Sequence, residues 1–125
     1  MSDKPLVALT GATGFVGRHL MADLAARGYR LRVLLRRPVP EFTTSEQVLI
    51  GDLASPINLN EAMRGVDYVI HSAGIAHAMS GRPEDDYRTI NRDATRALAQ
   101  AARHAGVKRF VFLSSVRAQS GPVSH

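Results

Sequence analysis

Residues 6–17 read LVALTGATGFVG, an apolar run that passes directly into a loop with glycines at positions 11, 14 and 17. Leu6 to Thr10 has the continuous apolar character of a parallel strand buried on both faces. Glycines immediately beyond such a strand remove the Cβ atoms that would keep a phosphate from the backbone N–H groups. The N-terminus of the helix that follows favours negative charge. A tight glycine turn without a ligand would give the same three residues. The strand before the loop and the helix after it favour the anion-binding reading.

Val16, Leu20 and Leu24, with neighbouring alanines, repeat at helical spacing as far as Gly28, which is placed to cap the helix. Arg30 to Leu35 reads as a second strand, stopped by Arg36-Arg37-Pro38 and then Pro40, and Gln47 to Ile50 as a brief third one ending at Gly51-Asp52. Asn58 with Glu61 is a capping-box pattern for a short helix closed by Gly65. Asp67 to His71 is a fourth strand and ends in Ser72-Ala73-Gly74. After a polar loop from Ile75 to Pro83, the positions Tyr87, Ile90, Ala94, Leu98, Ala101 and Ala105 line one face of a long helix. That helix is entered through Glu84 to Asp86 and left at Gly106. Lys108 to Leu113 is a fifth strand, followed by Ser114 and Ser115.

Strands alternating with helices through short loops predict an α/β fold: a doubly wound, Rossmann-like parallel sheet. The expected strand order is 3-2-1-4-5, with the switch point between strands 1 and 4. This order gathers the glycine loop, Asp52, Ser72 to Gly74 and Ser114-Ser115 at the C-terminal ends of the strands, where ligands of such sheets bind. The 125 residues are read as one domain, 1–125.

Composition narrows the functional classes. With 45% hydrophobic and 22% charged residues the chain is ordinary for a globular protein. No apolar run approaches the roughly 18 residues of a membrane helix, so no membrane association is expected. Residues 1–5 are polar and lead straight into a strand, which makes the cytoplasm the expected compartment. The absence of cysteine excludes disulfides and thiolate metal sites, and the five histidines are scattered, so no metal is expected. The net charge of +5 comes mostly from single arginines, with Arg36-Arg37 the one adjacent arginine pair. No basic stripe for nucleic acid results, and an anionic small ligand suits the charge better.

Four motifs in order, TGATGFVG at 10–17, GDL at 51–53, HSAG at 71–74 and FVFLSS at 110–115, resemble those of the extended short-chain dehydrogenase/reductases, in the NAD-dependent epimerase/dehydratase branch. The resemblance spans nearly the whole chain. It implies that the glycine loop, Gly11, Thr13, Gly14 and Gly17, carries the cofactor pyrophosphate, with Phe15 and Val16 offering helix N-terminal amides. Asp52 would reach the adenine with Leu53 beside it. Ser72, Ala73 and Gly74 would let the cofactor lie against backbone, and Leu113 and Ser114 join them at the end of the fifth strand. Asn91 matches the Asn that opens the family's Asn-x-x-Gly-Thr helix pattern, although Ala94 stands where the family has glycine. A plain helix-to-strand hydrogen bond is an equally good account of Asn91.

In that family a Ser or Thr after strand 5 holds the substrate oxygen, and a Tyr-x-x-x-Lys further on moves its proton. Ser115 matches the hydroxyl residue and is the candidate catalytic group. The tyrosines are Tyr29, Tyr68 and Tyr87, and no lysine follows Lys108, so the pair is absent. The resemblance therefore implies an N-terminal cofactor-binding part, truncated before strand 6 and lacking the Tyr-Lys segment and the substrate lobe. The expected function is part of an epimerase/dehydratase or reductase that transfers hydride and takes a nucleotide sugar. The alternative is a non-catalytic dinucleotide-binding sensor or scaffold.

The position about twenty residues beyond the glycine loop, where an acid would select NAD through the ribose hydroxyls, is Arg36, followed by Arg37. A guanidinium fork pairs with a phosphate dianion, so NADP is expected ahead of NAD. Strand 5, apolar and at the sheet edge, is expected to promote self-association.

Overall fold

A computed structural model describes residues 4–42, 45–72 and 84–113, with side chains from 88 onward in the last segment. The elements in chain order are β1 (Leu6–Leu9), α1 (Phe15–Ala26), β2 (Arg30–Leu35), β3 (Glu46–Leu49), α2 (Leu59–Met63), β4 (Tyr68–Ser72), α3 (Glu84–Ala105) and β5 (Arg109–Leu113). The five strands form one sheet in the order β3-β2-β1-β4-β5, as the alternation of elements predicts. Every pairing is parallel: Val7 lies beside Leu31 on one side and Tyr68 on the other, and Leu34 beside Val48. Tyr68 to Ser72 run in register with Arg109 to Leu113.

The central position of β1 explains its composition. All four residues are buried, because the strand has a neighbour on each edge and helices over each face. On one face Leu6, Ala8, Leu34 and Val69 pack with Ala62 and Met63 of α2 and with Ile90, Ala94, Leu98 and Ala102 of α3. On the other, Leu9, Ala12, Val33 and Leu35 pack with Leu20 and Met21 of α1 and with Val39, Phe42 and Ile70. The first cluster is the larger, and Gly17 is the sole buried residue of α1.

Three sequence expectations are corrected. Asn58 does not form a capping box: it adopts a left-handed conformation (φ 59°), and its Nδ2 donates to Leu49 O at 2.9 Å. The side chain thus ties the start of α2 back to β3 instead of serving the helix N–H groups. Val16 lies 54% exposed rather than in the α1 seam. On α3 the buried stripe is Ile90, Ala94, Leu98 and Ala102, with Ala101 packed beside it, and Ala105, the last residue of the helix, is exposed. The strand boundaries of β3 and β4 differ by one residue from the sequence reading.

One clamp joins the sheet to α2. Arg32 of β2, whose side chain is only 11% exposed, donates through Nη1 to Ala62 O at 2.8 Å and Arg64 O at 2.7 Å. These are carbonyls at the C-terminal end of a helix, where a cation is favoured. Its Nε lies 3.1 Å from Glu46 Oε1, the cross-strand neighbour, as an ion pair without hydrogen-bond alignment.

A candidate dinucleotide cleft at the strand ends

The glycine loop is shaped first by its own packing. Gly11 has φ 71°, and a Cβ there would stand 2.7 Å from Ser72 Cβ, so this glycine lets β1 and β4 close together at their C-terminal ends. At Gly17 a Cβ would fall 2.0 Å from Gly11 O, so this glycine seats α1 on the loop. Gly14 differs from both. It has φ −81°, which any residue adopts, and a Cβ would meet nothing closer than Gly11 O at 3.6 Å. Gly14 is the N-cap of α1; no side chain caps the helix and no acid stands in its first turn. The first N–H groups of a helix have no partner within it.

Beside this loop, over the ends of β1, β2 and β3, lies a cleft of about 330 Å³. Gly11 and Thr13 line it on the loop side, Arg36 and Arg37 beyond β2, and Asp52 and Leu53 beyond β3. Six residues chosen from the sequence are thereby brought together. Leu34, Ile50 and Leu53, all buried, make an apolar floor. Asp52 is partly committed to its own loop: Oδ1 accepts from Ala54 N at 3.0 Å, and its carbonyl accepts from Ser55 N at 2.9 Å.

The cleft also contains residues that sequence reasoning passed over, namely Thr10, Ala12, Leu34, Leu35, Val39, Ile50 and Gly51. Val39 follows Pro38 in a segment pinned by Gln47. The amide of Gln47 accepts from Val39 N at 3.0 Å and donates to Val39 O at 2.8 Å and Phe42 O at 3.1 Å. No sequence signal marks Gln47 for this role. For Thr10 a signal exists: it is a polar residue ending a fully buried strand.

Phe15 and Val16 are exposed at the start of α1, 79% and 54%, and Ser72 adjoins Gly11 without lining the cleft. The described lining of the cleft stands over β1, β2 and β3. Leu113 lies beside Ser72 in the sheet. Asn91 is half-buried; its Oδ1 is shielded from solvent and has no hydrogen-bond partner among the described residues, so this oxygen makes no helix-to-strand bond. Ala73, Gly74, Ser114, Ser115 and the loop from Ile75 to Pro83 lie outside the described residues.

Below the loop, Thr10 and His71 form a buried polar pair, with Oγ1 2.7 Å from Nδ1, and Thr10 Oγ1 also accepts from Ser72 N at 3.0 Å. Burial pushes the His71 pKa down to about 4. At the opposite end of the sheet Asp67 accepts from Leu6 N at 2.9 Å, which lowers its carboxyl pKa, with Lys108 adding a smaller effect at 3.6 Å. Among the described residues no group of three potential metal ligands occurs, and no helix is long and apolar enough to cross a membrane.

Comparison with known proteins agrees with this geometry. The profile of the NAD dependent epimerase/dehydratase family matches residues 7–125. A ceramide reductase from Caulobacter vibrioides is 43% identical over 125 residues, which cover 98% of this chain and 38% of the relative. A short-chain dehydrogenase/reductase superfamily protein from Agrobacterium tumefaciens, solved with bound NAD, is 36% identical with a TM-score of 0.67, over 86% of this chain and 31% of that one. MoeE5, solved in complex with UDP-glucuronic acid and NAD, is 34% identical with a TM-score of 0.64, over 85% of this chain and 35% of that one. The chain thus spans about a third of the length of these relatives, from 31% to 38%. A profile match over nearly every residue, on a parallel sheet of order 3-2-1-4-5 with its glycine loop at the strand ends, establishes that the chain belongs to the NAD dependent epimerase/dehydratase family.

Proposed function

We propose that this chain, residues 1–125, is the cofactor-binding N-terminal part of an NAD(P)-dependent epimerase/dehydratase or reductase. The observation that carries the reading is Gly14. Gly11 and Gly17 have reasons within the protein to lack a side chain, whereas Gly14 has ordinary φ and open space, so a neighbour from outside the protein accounts for it. The unfilled cradle and the uncapped amides of Phe15 and Val16 fit a diphosphate.

The other residues divide the ligand between them. Asp52 and Leu53 are suited to the adenine, Arg36 and Arg37 to a 2′-phosphate, which favours NADP over NAD. Gly11, Thr13, Gly17 and Ser72 would keep the path of the dinucleotide free of bulk, with Asn91 and Leu113 beside it, and Ala73, Gly74 and Ser114 are assigned to the same path by their motifs alone. A bound nicotinamide supplies the hydride acceptor and donor. Ser115 would hold the substrate oxygen by its hydroxyl. Since the chain contains no Tyr-x-x-x-Lys, it has no general base for that oxygen and is expected to bind without turnover.

For the substrate, the neighbour holding UDP-glucuronic acid supports a nucleotide sugar. The 43% identity to a ceramide reductase supports a second reading, a reductase of a non-sugar carbonyl. Calorimetric titration with NADP and NAD tests the common part. The unmodified chain should bind both with NADP tighter, and Gly14→Val should abolish binding while costing no more than about 1 kcal/mol of stability, so that the variant stays folded. Unchanged affinity in Gly14→Val would overturn the assignment. Equal affinity for the two dinucleotides, or a preference that survives Arg36→Ala and Arg37→Ala, would overturn the choice of NADP.

A further inference from the structure

We infer that Arg18 is a third cation of the 2′-phosphate subsite and sets the preference for the phosphorylated dinucleotide; this rests on the functional reading above. Arg18 stands in the first turn of α1, its N–H bonded to Gly14 O at 3.0 Å. The side chain is exposed and makes two contacts. Its Nε donates to Thr13 O at 3.2 Å, and its Cζ lies 5.4 Å from the centroid of the Phe42 ring. These two contacts belong to different segments of the chain. Thr13 lines the glycine-loop side, and Phe42 ends the segment that begins with Arg36 and Arg37. The guanidinium therefore reaches from the glycine loop to the segment on which Arg36 and Arg37 stand.

The Phe42 platform is fixed. Gln47 holds Phe42 O at 3.1 Å and both backbone groups of Val39, and Phe42 packs on the cluster of Leu9, Val33 and Leu35. A cation stacked on a braced ring is held in one place without being neutralised. Its two contacts are a carbonyl and a ring, neither of which carries a formal charge. Among the described residues none of Arg18, Arg36 and Arg37 is ion-paired. Arg36 and Arg37 in the cleft wall and Arg18 beside the glycine loop, with only Nε of Arg18 engaged, leave N–H groups free for an anion. A phosphate dianion on the ribose meets that pattern, and a bare ribose hydroxyl does not.

Adenosine 2′,5′-bisphosphate and adenosine 5′-monophosphate, titrated into the 125-residue chain, isolate the extra phosphate from the rest of the dinucleotide. The unmodified chain should favour the bisphosphate. Arg18→Gln should weaken the bisphosphate about tenfold and leave the monophosphate within about twofold, and Arg18→Lys should fall between, since it keeps the charge and loses the fork. The loss should shrink as salt rises. If the unmodified chain does not distinguish the two probes, the 2′-phosphate reading of the cleft fails and the role of Arg18 fails with it. If the unmodified chain discriminates and Arg18→Gln discriminates equally, the role of Arg18 alone is overturned. Equal weakening of both probes would make Arg18 a brace for the loop and would likewise overturn the inference.

Discussion

Thr10 Oγ1 lies 2.7 Å from His71 Nδ1 and at the same time accepts the N–H of Ser72 at 3.0 Å. The hydroxyl thus links the Ser72 N–H to the His71 ring, whose Nε2 is buried without a hydrogen-bond partner among the described residues. Burial keeps His71 neutral in the fold, with a pKa of about 4 against an ordinary 6.5. Below pH 6.5 the unfolded chain binds a proton that the folded chain refuses, so stability is full above that pH and falls as pH drops towards 4. The loss over this window is on the order of 3 kcal/mol. Urea midpoints measured from pH 7.5 to 4.5 should decline; a flat profile would contradict the assignment. Asp67, whose lowered carboxyl pKa stabilises above its ordinary value of 3.8 and ceases to do so as pH falls through the lowered value, acts in a separate and more acidic window.

Two glycines three residues apart should respond oppositely to alanine. Gly17→Ala forces a Cβ to 2.0 Å from a backbone carbonyl that has no room to move, and should cost more than about 3 kcal/mol. Gly14→Ala should cost no more than about 1 kcal/mol, the difference between two N-cap residues, and act on dinucleotide affinity instead. Thermal melts paired with titrations separate the two. Similar melting points for the two variants would show that the loop is not packed as described.

Arg32→Met should destabilise by about 2 kcal/mol, because it removes charge-assisted bonds to Ala62 O and Arg64 O and leaves those carbonyls unserved at the end of α2. Glu46→Gln should cost less than about 1 kcal/mol, since that carboxylate is 56% exposed. Comparable denaturation midpoints for the two variants would make the ion pair, and not the carbonyl clamp, the working contact.

Among the described residues β5 is an edge of the sheet, and Phe112 on it is 47% exposed. An unprotected apolar edge pairs with another of its kind, so light scattering should detect concentration-dependent association, weakened by Phe112→Lys. A strict monomer at high concentration would remove the edge as an association site.

The order of the strands and the identity of the glycine loop were legible in the sequence because both follow from local signals. Continuous apolar runs mark strands buried on two faces, and glycines after the first run mark the loop. The individual reasons for Gly11, Gly14 and Gly17 were not legible, since two of them depend on atoms brought close by folding, Ser72 Cβ and Gly11 O. The Asn58–Glu61 pattern misled for a related cause. A left-handed backbone turned the Asn58 amide towards Leu49, and no local sequence rule encodes that choice. Arg36, Arg37, Asp52 and Leu53 were found because they follow strands directly. Gln47 and Arg18 act through contacts across loops and escaped notice.

The two faces of the sheet assemble from different spans of chain. Among the described residues the cluster under α1 draws on the span between Leu9 and Phe42, with Ile70 the sole later contributor, whereas the opposite cluster joins Leu6 to Ala102 and Phe110. During synthesis the β1-α1-β2 unit can therefore close over its own small core while the partners of Leu6 and Ala8 are still untranslated. Until α3 emerges, that second face presents Leu6, Ala8 and Leu34 to whatever surrounds the nascent chain. The glycine loop is thus built early, and the half of the protein that a chaperone has reason to shield is the face α3 later covers.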